Sequence, residues 1–193
     1  KADGTGYNRP DIVLFVNGIP FGVIECKRSS ISIKQGIEQT IRYQGKNYIP
    51  HLYKYIQIVM ATNKNECKYG TCSTPKKFWS IWREEYEEWL QNKINKYISG
   101  RMATYQDQRI ISLFSPERLL ELTRYFTIFD KNDKKIARYQ QYFAVQETIK
   151  SITTFDKKGN RKGGVIWHTQ GSGKSITMVM LANYILTNIT NSR

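Results

Sequence analysis

The stretch GGVIWHTQGSGKSITMVML, residues 163–181, constrains the fold more than any other part of this chain. VIW reads as a short buried strand, the glycine-rich turn after it as a loop, and ITMVMLANYIL as a helix. Strand, loop and helix in that order belong to an α/β architecture. They also make a phosphate cradle. Gly171 and Gly173 let backbone N–H groups close around phosphate oxygens, and a helix beginning near Lys174 turns its positive end toward the same anion. In such a loop, running through Thr169, Gln170, Gly171, Ser172, Gly173, Lys174 and Ser175, the lysine reaches the β and γ phosphates of ATP and Ser175 ligates Mg²⁺. His168 departs from the general pattern, standing where its first glycine would be. The bland reading, a Gly-Ser turn with a stray lysine, is disfavoured by the strand and helix on either side.

At the other end, DIVLFV (11–16) and FGVIECK (21–27) are short apolar runs separated by NGIP. They form a hairpin signal, because Asn17-Gly18 supplies the positive φ angles of a tight turn and Pro20 suits a strand start. SIKQGIEQTIRYQ then sets Ile33, Ile37 and Ile41 along one helix face, and YIQIVMATN (55–63) reads as a third strand. Glu25 and Lys27, two apart on a strand, emerge on the same face, with Asp11 at the entrance of the partner strand. Two converging carboxylates suit Mg²⁺, a hard cation that prefers oxygen and keeps several waters. A lysine beside it could orient or deprotonate a water, completing the parts for in-line attack on a phosphodiester. Acid-x-Lys is itself a weak signal, recurring at Glu66-Lys68, Asp133-Lys135 and Asp156-Lys158 in polar stretches where exposed ion pairs are expected. Gln39 and Tyr43, four apart on the following helix, share a face and could bond DNA phosphate or a metal-bound water.

In order, Pro10-Asp11, Glu25-Cys26-Lys27 and the QxxxY element Gln39 to Tyr43 resemble the PD-(D/E)xK nuclease core, and specifically the motor and endonuclease subunit of type I restriction enzymes. The resemblance implies an α/β fold with a central mixed sheet flanked by helices. It implies catalytic Asp11, Glu25 and Lys27, with Asp11 and Glu25 as metal ligands and Gln39 and Tyr43 as supporting active-site residues. Nucleases of this superfamily often carry a further acid on a helix before the first strand, and no such helix is legible here. The glycine-rich loop looks like motif I of superfamily 2 helicases, again most similar to the restriction motors, which implies the first strand and helices of a RecA-like domain. Upstream, ARYQQYFAVQ resembles the adenine-recognition element of those motors, with Arg138 and Gln141 in matching positions. A glutamine amide can both donate to and accept from adenine, although a glutamine on an amphipathic helix is more often simply solvated.

The function so implied is an ATP-dependent DNA translocase that also cuts double-stranded DNA, a type I site-specific deoxyribonuclease. Its cofactors would be Mg²⁺ and ATP, and its partners modification (methyltransferase) and specificity subunits. A different helicase and nuclease fusion acting in DNA repair, and a DNA-binding module with a decayed nuclease site, remain as alternatives.

Lys and Arg outnumber Asp and Glu by 30 to 16, giving a formal charge of +14. This favours a polyanionic partner, although charge also serves solubility or is neutralised by partner subunits. Three cysteines without a CxxC pair, and two histidines, argue against a disulfide framework or a zinc site. With no apolar run of about 18 residues and no secretory leader, the sequence predicts no membrane association and a cytoplasmic protein. Residues 64–77 read as an exposed loop and DKNDKK (130–135) as an exposed linker. The boundary is placed there, with a nuclease domain over 1–130 and the beginning of a RecA-like motor over 131–193. Trp79, Trp82, Tyr86 and Trp89 fall on one face of an expected helix, as core rather than as a base-stacking platform. Ser115 and Pro116 mark a helix start, and another helix is expected over about 134–151. The chain opens on Lys1 and stops soon after the phosphate loop, so it reads as a fragment. The acidic motif completing Mg²⁺ coordination is expected beyond Arg193, so residues 1–193 alone are not expected to hydrolyse ATP.

Overall fold

The computed structural model describes residues 7–84, 88–98 and 100–189. Strands β1 (Ile12–Val16) and β2 (Ile19–Cys26) pair antiparallel. Asn17 and Gly18 join them at φ of 49° and 80°, two left-handed residues whose twist matches that of the strands. β2 begins before Pro20, which lies opposite Phe15 where the register shifts; proline has no N–H to offer the ladder there. Helix α1 (Ile33–Tyr43) starts at Ser32, whose hydroxyl accepts from the Lys34 N–H. A single turn, α2 (Pro50–Tyr53), follows.

β3 (Ile58–Thr62) runs parallel to β2, with α1 in the crossover, and β4 (Cys67–Gly70) returns antiparallel. The sheet is therefore mixed, in the order β1-β2-β3-β4. β4 corrects the reading of 64–77 as one exposed loop. Asn63 Oδ1 accepts from the N–H groups of Asn65 and Glu66, which closes a tight turn and aims Cys67 and Tyr69 into the core. Lysines on both sides masked that alternation in the sequence.

A 3-10 turn over Lys76–Phe78 leads into an extended segment in which Ser80 pairs with Tyr69. Trp79 and Trp82 are consequently not on a helix, contrary to expectation, yet both are buried. Backbone pairing with β4 overrides the helical spacing of the rings. Tyr86 lies outside the described residues, and Trp89, on α3 (Glu88–Asn95), is partly exposed.

α4 (Tyr105–Phe114) opens with a capping box between Thr104 and Asp107. α5 (Pro116–Tyr125) begins with Pro116 as expected, although the Ser115 hydroxyl makes no cap bond. β5 (Thr127–Asp130) and β6 (Asp133–Ile136) then form a hairpin, in place of the expected linker. Lys131 takes the left-handed turn conformation at φ 55°. Because β6 uses residues 133–136, helix α6 starts later than expected, at Tyr139–Thr153, and packs against α7 (Lys174–Asn188). The expected strand at 165–167 does not form: Val165, Ile166 and Trp167 are 92%, 45% and 89% exposed. A buried parallel strand needs neighbours to take up its N–H and C=O groups, and no described segment pairs with this one.

The sheet is covered on both faces. Val23, Val59, Ala61 and Trp79 pack with Ile37 of α1 on one side. On the other, Ile24, Met60, Tyr69 and Trp82 join Phe126, Tyr142, Val145 and Met180 in a core that continues into α6 and α7. No helix among the described residues is long and apolar enough to cross a membrane.

Candidate active site

β2 alternates between the two layers, so Glu25 faces α1 while Ile24 and Cys26 pack toward the larger core. Lys27 lies just beyond the strand, but its N–H still donates to Thr62 O at 2.8 Å. The ladder with β3 is thereby extended by one bond, and Lys27 emerges beside Glu25. Asp11, immediately before β1, accepts from the Cys26 N–H at 2.7 Å. It is thus fastened to the backbone between the other two residues.

These side chains form a connected series. Lys27 Nζ donates to Glu25 Oε1 at 2.5 Å and to Gln39 Oε1 at 3.0 Å. Gln39 Nε2 in turn donates to the Tyr43 hydroxyl at 2.9 Å. All five residues named from the sequence therefore meet at one end of the α1 layer. Gly36 makes the meeting possible. A Cβ there would lie 3.3 Å from Ala61 Cβ, 3.5 Å from Lys27 Cγ and 3.6 Å from Glu25 Cγ. Sequence reading missed this residue, and a glycine inside an otherwise well-patterned helix was the available signal.

Glu25 is fully buried, and its Oε2 has no hydrogen-bond partner among the described residues. Burial raises its pKa above the ordinary value; the Lys27 hydrogen bond opposes that shift and the Asp11 charge adds to it. Burial also raises the Cys26 thiol. Among the described residues no cluster of three or more His, Cys, Asp or Glu could hold a metal ion. The two carboxyl groups that converge here are Asp11 and Glu25, and carboxylate oxygen is the donor type that hard divalent cations prefer.

At the phosphate loop, Gly171 and Gly173 take φ of 74° and 87°, conformations that suit glycine. The Ser172 hydroxyl donates to Thr169 O at 2.7 Å, and Lys174 Nζ lies 3.4 Å from the carbonyl oxygens of His168 and Thr169. Thr169, Gln170 and Ser175 are exposed, with Lys174 and Ser175 opening α7. Gln141 is buried under the loop. Its Oε1 accepts from the Arg138 N–H at 2.9 Å and its Nε2 donates to Gly173 O at 3.2 Å. Any Cβ at position 173 would fall 2.6 Å from Gln141 Nε2. A cleft of about 340 Å³ opens beside the loop, lined among others by Thr74, Phe78, Lys134, Arg138 and Gln141.

Among the described residues the other three Acid-x-Lys tripeptides hold no internal ion pair. Lys68 lies on β4, Lys135 pairs with Asp130, and Asp156 accepts from the N–H groups of Lys158 and Asn160.

Family models and known proteins match most of this chain. Residues 1–78, which contain the whole Asp11 to Tyr43 series, match the family described as type I restriction enzyme R protein N terminus. The HindI type I restriction enzyme endonuclease subunit of Haemophilus influenzae is 37% identical over 94% of this chain. The chain belongs to the type I restriction enzyme R protein family. Another relative, the MjaVIIP endonuclease subunit of Methanocaldococcus jannaschii, which carries a provisional type I name, is 35% identical over 93% of the chain. The chain spans 17% of the length of either R-protein relative. Residues 140–193, holding Gln141 and the phosphate loop, match the SWI2/SNF2 ATPase model.

Proposed function

We propose that the protein to which these residues belong is the Mg²⁺-dependent endonuclease and ATP-driven DNA translocase subunit of a type I restriction-modification complex. On this reading residues 1–130 are a PD-(D/E)xK nuclease domain and 131–193 begin a RecA-like motor. The observation that carries it is the series Glu25–Lys27–Gln39–Tyr43, with a buried Glu25 oxygen left unpaired and Asp11 tied to the intervening backbone. That oxygen fits a hard cation. Asp11 and Glu25 would hold Mg²⁺, and Ser175 a second ion carried by ATP. Bound there, Mg²⁺ neutralises charge developing on the phosphodiester and acidifies water. Lys27 presents its ammonium at a fixed place, held from two sides by Glu25 and Gln39, and orients the attacking water. Gln39 is set by Tyr43, so these two act as positioning residues.

At the second site the loop N–H groups and Lys174 take the ATP phosphates, while Arg138 and Gln141 line the cleft where the base would enter. Gln141 recognises adenine by exchanging its bond to Gly173 for one to the base, which couples base binding to the shape of the loop. Family membership supports DNA as substrate within a restriction-modification complex, for which methyltransferase and specificity subunits are the proposed partners; the names of the relatives favour restriction over repair.

The test uses the natural full-length protein assembled with its partners. Lys27→Ala should lower double-strand cleavage at least about 100-fold and leave ATP hydrolysis intact, whereas Lys174→Ala should abolish both. ATP-dependent cleavage that survives Lys27→Ala would overturn the proposal.

A further inference from the structure

The second Glu-Cys-Lys tripeptide has no part in the nuclease site, yet its lysine is placed in relation to it. Glu25 pairs with Ala61 across β2 and β3, and Ala61 pairs with Lys68 across β3 and β4. Residues in one cross-strand row share a face, so Lys68 stands in the row of Glu25, two strand spacings or about 10 Å away. From there a groove of about 350 Å³ runs along the sheet edge, lined by Lys68, Lys77, Phe78, Arg83, Arg138 and Tyr139 among others. Among the described residues none of the lining side chains is acidic. None of the four cations makes an ion pair with a carboxylate among the described residues, and Lys77 lies 4.9 Å from the exposed ring of Phe78. The neighbouring Lys76 pairs with Glu38 on α1, which holds this turn against the helix that carries Gln39 and Tyr43. Arg138, three residues before Gln141, lines both this groove and the cleft beside the glycine-rich loop.

We infer that this groove is a track for the sugar-phosphate backbone of duplex DNA, leading from the nuclease centre toward the ATP site. The inference rests on the proposal that DNA is the substrate. Duplex DNA carries one phosphate per about 3.4 Å of axis on each strand, a regular row of negative charge that a strip of cations can follow. Helix α1 covers Ala61 between Glu25 and Lys68, so a backbone with its scissile phosphate at Asp11 and Glu25 passes round α1 to the sheet edge, where Lys68, Lys77 and Arg83 line the groove. Four cations in one concave strip, without an ion pair among the described residues, fit a regular polyanion, and the rings of Phe78 and Tyr139 can lie against its sugars.

The experiment measures binding of a duplex to the natural full-length protein without Mg²⁺, across a salt series. It compares wild type with the variants Lys68→Glu/Lys77→Glu/Arg83→Glu, Lys77→Glu alone, and Lys68→Arg/Lys77→Arg/Arg83→Lys. Arg138 is left intact because it lines the ATP cleft. The slope of log affinity against log salt should fall by about 2–3 in the triple reversal and by about 1 in the single one, at roughly 0.9 per lost phosphate contact. The charge-conserving variant should keep the wild-type slope, and basal ATP hydrolysis should be unchanged throughout. A wild-type slope in both reversed variants, with wild-type protein binding and cutting DNA, overturns the track and spares the proposed function. Absence of duplex binding and cleavage by the wild-type protein overturns both.

Discussion

Glu25 is a carboxyl group with no exposure to water and one oxygen without a partner. Its pKa is raised, chiefly by burial. The unfolded chain releases this proton near the ordinary value of 4.5, while the folded chain holds it to higher pH. Stability from this group is therefore greatest below about pH 4.5 and declines as pH climbs through the raised folded value. Glu25→Gln removes the titration. Urea midpoints should show the variant gaining on wild type as pH rises from 4.5 to 7, while its cleavage is lost. Added Mg²⁺ should raise the wild-type midpoint at neutral pH and leave Glu25→Gln unmoved; equal responses would remove Glu25 from the metal site. Asp11, Glu25 and Lys27 could be named from the sequence because strand alternation fixes which residues share a face. That Asp11 bonds the Cys26 N–H, and that one Glu25 oxygen is left over, depends on neighbours brought in by β1 and α1.

Among the elements, α1 decides how tightly the site is held. Gly36 lets it approach β2 and β3. Replacement by alanine has opposing effects: about 0.5–1 kcal/mol gained in helix propensity, against a contact 3.3 Å from Ala61 that is tighter than ordinary packing. Gly36→Ala should thus be near neutral in denaturant unfolding but lower cleavage by displacing Gln39 and Tyr43. Gly36→Val adds two methyl groups and β-branching, and should lose about 1–3 kcal/mol. The extended segment after Trp79 depends on a different device. Glu84, buried, accepts from Trp82 Nε1 at 2.8 Å and from Arg118 at 3.0 and 3.1 Å, and that guanidinium lies 4.5 Å from the Tyr142 ring centre. Arg118→Ala leaves a buried carboxylate unpaired and should cost about 3–5 kcal/mol in urea unfolding. None of this pairing was legible in the sequence. Glu84 and Arg118 are 34 residues apart, and the helical spacing of the tryptophans pointed to the wrong element.

Across the whole molecule, the two sites named from the sequence are joined by one core. The Tyr69 hydroxyl donates to Ala137 O at 2.7 Å, and the Thr71 hydroxyl to Lys134 O at 2.7 Å. These bonds lock the β5–β6 hairpin, expected as a linker, to the edge of the first sheet. Tyr69→Phe strands a buried carbonyl and should cost about 1–3 kcal/mol. Because the core is shared, near- and far-ultraviolet signals should shift together in one transition; an uncoupled second half would unfold separately and at an unchanged midpoint. By itself the sequence determined the β1–β2 hairpin, α1, β3 and the glycine loop. Each depends on local periodicity, turn chemistry or a spacing of a few residues. Tertiary structure alone decided β4, the extended tryptophan segment, the β5–β6 hairpin and the exposed Val165–Trp167. A strand forms where another backbone offers unpaired N–H and C=O groups, and no short stretch of sequence says whether that partner is present.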